Sequence, residues 1–306
     1  MVSSKAPVLL LVFNRLDTLK PVFEKIKEYQ PPQLFIASDG PRIYKDGEAN
    51  IVTGIREYVL NEINWPCEVK TLFREENLGC GVGVSSAITW FFEQVESGII
   101  LEDDCLASPG FFEFCEAMLD YYAADESVYE ISGTCLQQGI KRGDGSYYFS
   151  NYVGIWGWAS WARAWNHYDF NINDYEAFKK NKGIELIFDD IKQQVYWLNI
   201  FDNAKADGLD TWDYQWAFSI WSNRGKCIIP NKNLITNLGF NTDGTHTLGQ
   251  PFWYKKLTSG SNSIIPLVHP TNKNVDKEAD DFLFYKTTKA PFFRKLQAYV
   301  KRLLQL

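Results

Sequence analysis

Strand-like and helix-like segments alternate three times within the first hundred residues of the chain. Four of them are short and rich in apolar or β-branched residues, and between them lie three longer segments with apolar residues at helical spacing. Because a strand, a crossover helix and the next parallel strand form one right-handed unit, this alternation predicts an α/β fold with a mostly parallel central sheet flanked by helices. The predicted strands are 8–13, 34–37, 68–73 and 98–101, and the predicted helices are 16–29, 51–63 and 82–95.

Bulk composition excludes several classes of protein. The 306 residues are 45% hydrophobic and carry a net charge of −7, which is typical of a globular protein and gives no basic face for nucleic acid. The six cysteines form no CxxC pair and only three histidines are present, so free thiols in a reducing compartment are expected. No signal-peptide pattern follows Met1, and no apolar run approaches the roughly 18 residues of a membrane span. These features predict a cytoplasmic protein.

Polar residues follow each of the four predicted strands. Asn14 and Arg15 follow the first, Asp39 the second and Arg74 the third. Because ligands of open α/β sheets bind beyond the carboxyl ends of the strands, these side chains are expected to meet at one rim. Two cations, an acid and an amide at such a rim suit a nucleoside diphosphate. The Gly-rich stretch 79–83 that follows is interpreted as a helix entry, with phosphate approach as the minor alternative.

Three consecutive acids, Glu102, Asp103 and Asp104, follow the fourth predicted strand. Hard divalent cations take oxygen ligands, commonly one or two carboxylates together with substrate phosphates. The cluster therefore predicts a site for Mn²⁺ or Mg²⁺ and a diphosphate. The alternative is a solvated acidic turn.

Nine of the 11 tryptophans lie between residues 156 and 253. Tryptophan-lined clefts fit the C–H faces of sugar rings, and tryptophan is also a good core residue with a polar handle. We expect most of these side chains to pack in the core and two or three to contact a ligand.

With these residues in view, the chain resembles the GT-A glycosyltransferases, the nucleotide-diphospho-sugar transferases. It is most similar to bacterial family-two-type enzymes and to N-acetylglucosaminyltransferase I, over about residues 7–250 in the same order. The resemblance implies that Arg15, next to Asn14, contacts the donor diphosphate and that Asp39 binds uracil. It also implies that Asp104, the last acid of the Glu-Asp-Asp motif, is the direct manganese ligand, while Glu102 and Asp103 belong to the donor side.

Three later segments carry the same resemblance. Residues 154–158, with Gly157 and Trp158, resemble the segment that lines the donor sugar. Trp212-Asp213 resembles the pair whose Asp is the catalytic base, and residues 241–247 resemble the loop that closes over the nucleotide. Taken from the sequence alone, Asp213 is equally well an acid in the first turn of a helix, with Asp210 as the reserve base. His246 either contacts phosphate or lies on a mobile polar loop.

The resemblance implies a metal-dependent, inverting transfer from a UDP-sugar to a glycan or lipid-linked glycan acceptor. The alternatives are a sugar-phosphate nucleotidyltransferase, although no Gly-Gly-x-Gly-Thr-type loop follows the first strand, and a non-catalytic carbohydrate-binding protein. The expected division is a glycosyltransferase domain over 1–285, with a nucleotide-binding half at 1–108 and a helical acceptor-side half at 109–285. The oligomeric state is not predicted.

An amphipathic helix is predicted over 286–306, opening near Pro291. Its apolar face and its basic residues are separated around the helix. A basic amphipathic helix of this kind suits peripheral contact with an anionic membrane surface, and equally suits docking on the body of the protein or on another subunit. The apolar face comprises Phe292, Leu296, Tyr299, Val300, Leu303 and Leu304, and the basic residues off it are Arg294, Lys295, Lys301 and Arg302.

Overall fold

The computed structural model describes residues 5–206, 210–240 and 264–288. Within these ranges the strands are β1 (Val8–Val12), β2 (Gln33–Ser38), β3 (Glu68–Phe73), β4 (Ser97–Glu102), β5 (Cys105–Ala107), β6 (Val128–Ser132), β7 (Tyr147–Ser150), β8 (Trp158–Trp161), β9 (Lys226–Pro230) and β10 (Ile235–Asn237). The helices are α1 (Leu16–Tyr29), α2 (Glu48–Asn61), α3 (Gly79–Phe92), α4 (Gly110–Tyr121), α5 (Ala162–Trp165), α6 (Tyr175–Lys180), α7 (Ile191–Lys205), α8 (Asp213–Ser222) and α9 (Lys277–Thr287). A 3₁₀ helix spans Gly183–Leu186.

Eight of these strands form one mixed sheet in the order β3-β2-β1-β4-β8-β6-β9-β7. Strands β3, β2, β1 and β4 are parallel, and so is the pair β6–β9. Strand β8 is antiparallel to both β4 and β6, and β7 is antiparallel to β9. Strands β5 and β10 form a separate antiparallel pair. The predicted α/β class with a mostly parallel sheet is therefore confirmed.

The central sheet is covered on both faces. Side chains of β1 alternate between two hydrophobic clusters: Val8 and Leu10 belong to the one packed against α1, α2 and α4, while Leu9 and Leu11 belong to the one packed against α3, α7 and α8. All five residues of β1 are buried. An uninterrupted apolar run is what a strand buried on both faces requires.

The first half of the chain matches the predicted elements closely, and the second half departs from them. Helix α3 begins at Gly79, three residues before the predicted start, so the Gly-rich stretch forms its first turn. Strands β5 and β8 were not predicted, and neither was α9. The sheet runs across the predicted division at 108/109, and α9 runs across the one at 285/286.

All six cysteines are free thiols, as expected from their spacing, and four of them are buried. In the described ranges none of the helices has both the length and the apolarity needed to cross a membrane. His246, the loop 241–247 and the predicted helix beyond Thr288 lie outside the described residues.

Candidate active site

A cavity of about 800 Å³ opens at the carboxyl ends of the parallel strands. The loops after β1, β2, β3 and β4 and the start of α8 all contribute residues to its lining. The structure thus brings together residues from both halves of the chain. Eight of the predicted site residues line this cavity: Asn14, Arg15, Asp39, Arg74, Glu102, Asp103, Asp104 and Asp213.

Two of the three acids at the end of β4 pair with one cation, Arg15. Arg15 donates from Nη1 to Asp104 Oδ2 at 2.8 Å, and its Nη2 pairs with Asp103. Asp103 also accepts from the backbone N–H of Phe13 at 3.3 Å. Asp103 and Asp104 are only 2% and 7% exposed, so the cluster is not a solvated acidic turn.

Burial and the neighbouring carboxylates raise the pKa values of two acids in this cluster. Burial, together with the charges of Asp104 and Asp103, raises the pKa of Glu102 to about 8. Burial also raises the pKa of Asp103 to about 6, against the opposing effect of Arg15. One guanidinium here pairs with two carboxylates, and a divalent cation would offset the remaining negative charge and favour the ionised form of Glu102.

The donor set here fits a metal that shares its ligands with a substrate. In the part of the chain that the structure describes, no three His, Cys, Asp or Glu side chains are grouped to enclose a metal. Asp104 would therefore hold an ion together with phosphate oxygens and water, which is how Mg²⁺ is commonly bound. Carboxylate oxygens are ligands that Mg²⁺ and Mn²⁺ prefer. Metals that prefer soft ligands such as thiolates are not favoured here.

Gly239 closes the cavity over the acid cluster. Its N–H donates to Asn237 Oδ1 at 2.8 Å, and the N–H of Leu238 donates to the backbone oxygen of Asp104 at 2.8 Å. A Cβ at position 239 would lie 2.2 Å from Asp104 Oδ2 and 3.1 Å from Arg15 Nη1. The segment therefore approaches Asp104 as closely as glycine allows.

We expect Gly239→Ala to displace the Asp104 carboxylate, because Asp104 is buried and paired with Arg15 and cannot simply swing aside. Metal-dependent nucleotide binding, measured by calorimetry, should weaken roughly tenfold or more, in line with the effect of disturbed metal-site neighbours. The control is Gly54→Ala, since a Cβ there would meet nothing within 4 Å. That variant should bind normally and be stabilised by about 0.5–1 kcal/mol, as expected for alanine in a helix. Equal binding by both variants would contradict the role of Gly239.

Two carboxylates cap the N-terminus of α3. Asp39 accepts from the N–H groups of Leu78 at 2.9 Å and Gly79 at 3.1 Å, and Asp210 accepts from Cys80 at 3.3 Å and Gly81 at 2.8 Å. These contacts satisfy the helix donors and lie at the positive end of its dipole. Asp39 therefore serves as a structural cap at the cavity wall. The interpretation of the Gly-rich stretch as the entry to a helix is confirmed.

Cations at the rim are anchored by partners that sequence reasoning missed. Arg42 forms a bidentate ion pair with the buried Glu48, and Asn14 Nδ2 donates to the same carboxylate at 2.9 Å. Arg42 and Asn14 both line the cavity. Arg74 donates to Ser86 Oγ at 2.8 Å and so is held against α3. Glu48, six residues after Arg42 and three residues before the predicted helix 51–63, was the available signal.

Arg56 was also missed, and it ties two strand ends together. From α2 it donates to Ser38 Oγ at 3.0 Å and to the backbone oxygens of Asp39 at 3.0 Å and Arg74 at 2.6 Å. These contacts fix the carboxyl ends of β2 and β3, which carry Asp39 and Arg74. Arg56 thus positions two cavity residues without lining the cavity itself.

Asp213 begins α8 and lines the cavity. Thr211 donates its hydroxyl proton to Asp213 Oδ1, which orients the carboxylate. Asp213 and Glu102 line the same cavity, and the charge of Asp213 contributes to the raised pKa of Glu102.

Gly157 and Trp158 are not among the residues that line the cavity, and their contact with the donor stays a prediction. Trp158 is 1% exposed and stacks on Trp212 with ring centroids 5.7 Å apart. Gly157 has φ +64°, and the turn there directs Trp156 and Trp158 into different surroundings. The residues of this segment that line the cavity are Ile155 and Trp156.

Glu130, on β6, connects two segments that contribute residues to the cavity. It is fully buried, and its Oε1 accepts from Gly154 N–H at 2.6 Å while Oε2 accepts from Trp216 Nε1 at 2.7 Å. The first bond fixes the start of the segment that carries Trp156, and the second holds α8, which carries Asp213. Burial raises the pKa of Glu130 to about 7, and both hydrogen bonds oppose that rise.

We expect Glu130 to make the protein less stable as pH rises. The unfolded carboxyl, with a pKa near 4.3, binds fewer protons than the folded one between about pH 4 and 7, so stability falls across that window and levels off above it. Between pH 5 and 8 the free energy of unfolding should fall roughly 2–3 kcal/mol more in the wild type than in Glu130→Gln, at 1.36 kcal/mol per pKa unit. Urea titrations across this range test the prediction, and parallel curves for the two proteins would contradict it.

Comparisons with known proteins show that the fold of this chain is similar to that of several solved structures. No protein-family model matches the chain, and no curated protein matches its sequence. Among solved structures, HddC from Yersinia pseudotuberculosis is 12% identical with a TM-score of 0.31, covering 52% of this chain and 77% of that one. UDP-glucose pyrophosphorylase complexed with UDP-glucose is 12% identical with a TM-score of 0.32, covering 53% and 78%, and its apo form is 11% identical with a TM-score of 0.34, covering 75% and 91%.

These two names correspond to the sugar-phosphate nucleotidyltransferase alternative weighed from the sequence, and not to a glycosyltransferase. At 11–12% identity the likeness concerns the α/β arrangement alone. The choice between the two chemistries therefore depends on the site.

Proposed function

We propose that the chain is a metal-dependent glycosyltransferase that moves a sugar from a UDP-sugar to a glycan or lipid-linked glycan acceptor. One observation carries the proposal. A single cavity is lined by an acid cluster and arginines at the strand ends and by a further carboxylate, Asp213, at the start of α8. This arrangement suits a diphosphate leaving group on one side of a sugar and a base on the other.

The strand side of the cavity suits the donor. Asn14, Arg15 and Arg74 line the cavity and carry N–H groups that suit a diphosphate, and Asp39, the proposed uracil ligand, lines the same cavity. Asp104 would hold Mn²⁺ or Mg²⁺ with the phosphates, and the bound ion would favour the ionised forms of Glu102 and Asp103. A divalent ion bound there supplies charge neutralisation for the leaving group without proton transfer.

The proton in this reaction goes to Asp213. The acceptor hydroxyl oxygen forms a bond to the anomeric carbon while the bond from that carbon to the phosphate oxygen of the donor breaks. The hydroxyl proton passes to the Asp213 carboxylate, and UDP leaves with the bonding electron pair. With one base placed opposite the leaving group, the displacement is direct and inverts the anomeric carbon.

A sugar-phosphate nucleotidyltransferase is the second candidate, because its fold is the one named by the structural comparisons. That reaction also uses a metal and a nucleotide, but it joins a sugar phosphate to a nucleotide and releases pyrophosphate. It gives no role to a base on the acceptor side. The position of Asp213 in the cavity therefore favours transfer of the sugar.

The test begins with thermal-shift screening of nucleotide sugars, with Mn²⁺ or with EDTA. A ligand present at 100 times its Kd stabilises the folded state by about 2.7 kcal/mol, which is readily measured. We expect a UDP-sugar to stabilise the protein only with the metal, and then to release UDP when acceptor is added. Conversion of a UDP-sugar and pyrophosphate to UTP, without sugar transfer, would instead establish the nucleotidyltransferase. Stabilisation by free sugars alone would identify a carbohydrate-binding protein.

A further inference from the structure

An acid without a cationic partner is buried behind the candidate active site. Glu130 lies on β6 between the buried residues Tyr129 and Ile131 and is itself fully buried. Within the described ranges it forms no ion pair, and its partners are the backbone N–H of Gly154 and the indole N–H of Trp216. Burying a charge without a cation costs free energy, and departures of this kind from the rules of stable packing are expected at functional sites. The position of Glu130 therefore points to a role other than stability.

The first partner of Glu130 belongs to the segment 154–156, which carries Trp156 into the cavity lining. Two further side chains at the end of β6 hold the same segment. Ser132 Oγ donates to the backbone oxygen of Gly154 at 3.0 Å, and Thr134 Oγ1 donates to that of Trp156 at 2.8 Å. A Cβ at position 154 would lie 2.1 Å from Ser132 Oγ, so the approach requires glycine. The end of β6 therefore fixes the backbone of this part of the cavity.

The second partner of Glu130 belongs to α8, the helix that begins with Asp213. Trp216 is fully buried, and its indole N–H donates to Glu130 Oε2 at 2.7 Å. Residues three apart in a helix are neighbours on adjacent turns, so Trp216 lies next to Asp213 along the helix surface. The hydrogen bond to Glu130 therefore restrains both the rotation and the axial position of the first turn of α8.

A carboxylate is the side chain that suits both partners at once. It offers two acceptor oxygens and no donor, and both partners of Glu130 are donors. The amide of a glutamine would accept from one partner and direct its NH₂ group at the other. One carboxylate thus joins two separate segments, which contribute Trp156 and Asp213 to the cavity lining.

We propose that Glu130 is a positioning residue that holds Asp213 in place relative to the segment 154–156 and so determines the rate of sugar transfer. The inference rests on the proposed function, in which Asp213 takes the acceptor proton. A reacting group displaced by about 1 Å can lose roughly 100-fold in rate, because it no longer meets the atom with which it reacts. Donor binding should be unaffected, since Arg15 pairs with Asp104 through contacts that do not involve β6 or α8.

The substitution Trp216→Phe tests the proposal, because it keeps an aromatic ring in the core and removes the indole N–H that Glu130 accepts. We expect kcat, measured as UDP release in the presence of acceptor, to fall roughly 10–100-fold. The Kd of the UDP-sugar in Mn²⁺, measured by calorimetry, should be unchanged, which also shows that the variant is folded. Assays at about pH 8 keep Glu130 ionised, since burial raises its pKa to about 7.

The matched control is Trp221→Phe on the same helix. Trp221 is 1% exposed and donates its indole N–H to the backbone oxygen of Asn151 at 2.6 Å, so this variant loses a buried hydrogen bond of the same kind. Its stability should fall as in Trp216→Phe, but its kcat should equal that of the wild type. A structural role alone would lower kcat in both variants or in neither.

The substitution Glu130→Gln tests the same contact from its other side, and its kcat should fall at least as far. Because both substitutions break one contact, the double variant should lose no more than the worse single variant, whereas independent effects would multiply. Multiplied losses, wild-type kcat in both single variants, or an equal loss in Trp221→Phe would overturn the assignment of Glu130 and leave the proposed function intact. Absence of sugar transfer by the wild type would overturn the proposed function, and the assignment with it.

Discussion

Replacing Asp213 with Asn should abolish sugar transfer while leaving the donor bound. Asn keeps the shape of the side chain and can still accept from Thr211, but it cannot take the acceptor proton. Removal of a positioned general base typically costs about 10²–10⁴-fold in rate. Transfer would be followed by UDP release, with the UDP-sugar that gives the largest thermal shift, and donor affinity would be measured by calorimetry.

The control variant for this test is Asp210→Asn. Asp210 also lines the cavity, but its carboxylate accepts from the N–H groups of Cys80 and Gly81 at the start of α3. Its substitution should therefore affect stability and binding more than the rate of the chemical step. Full activity in Asp213→Asn, or a larger rate loss in Asp210→Asn, would transfer the base assignment to Asp210.

Replacing Asp104 with Ala should remove the metal dependence of nucleotide binding. Asp104 pairs with Arg15 and lies against Gly239, and its loss takes away the proposed protein ligand of the metal. Affinity for UDP in Mn²⁺ should fall at least roughly 100-fold, the upper end of what is lost when only a neighbour of a metal ligand is changed. In EDTA the variant and the wild type should bind UDP equally weakly, as measured by calorimetry.

A charge-matched control separates this effect from the loss of one negative charge. Asp174 precedes α6 and is exposed, and Asp174→Ala removes the same charge outside the cavity. That variant should keep both its metal dependence and its affinity. If Asp104→Ala still binds UDP more tightly with Mn²⁺ than with EDTA, by the factor seen in the wild type, the metal site lies elsewhere.

The parallel half of the fold was predictable from the sequence because its signals are local. Runs such as Val8–Val12 are buried on both faces, and polar residues follow them at the rim that topology dictates. The antiparallel insertion of β8 was not predictable, since its place between β4 and β6 depends on pairing across the whole chain. The four residues of β8 are all buried, so the strand lacks the alternation that marks one solvated face.

The polar residues that line the site were predictable from the sequence, but the buried contacts that hold them in place were not. Acids and arginines at strand ends could be placed at one rim, but the buried partners that fix them could not. Glu130 and Arg56 lie on elements away from the cavity, and only three-dimensional packing shows what each one holds. Which tryptophan of the segment 154–158 faces the cavity depends on the backbone turn at Gly157, which has no periodic signal.

The position of β8 bears on attempts to produce the nucleotide-binding half alone. β4 is hydrogen-bonded along one side to β8, which comes from residue 158 onward, and Ile99 and Leu101 pack with Phe111 and Phe114 of α4. A fragment ending at residue 108 would leave β4 as an exposed edge strand, and one apolar face of the sheet would be uncovered. Such an edge strand forms hydrogen bonds with extended strands of other molecules. The isolated fragment should therefore precipitate or form oligomers, and should not behave as a small soluble domain.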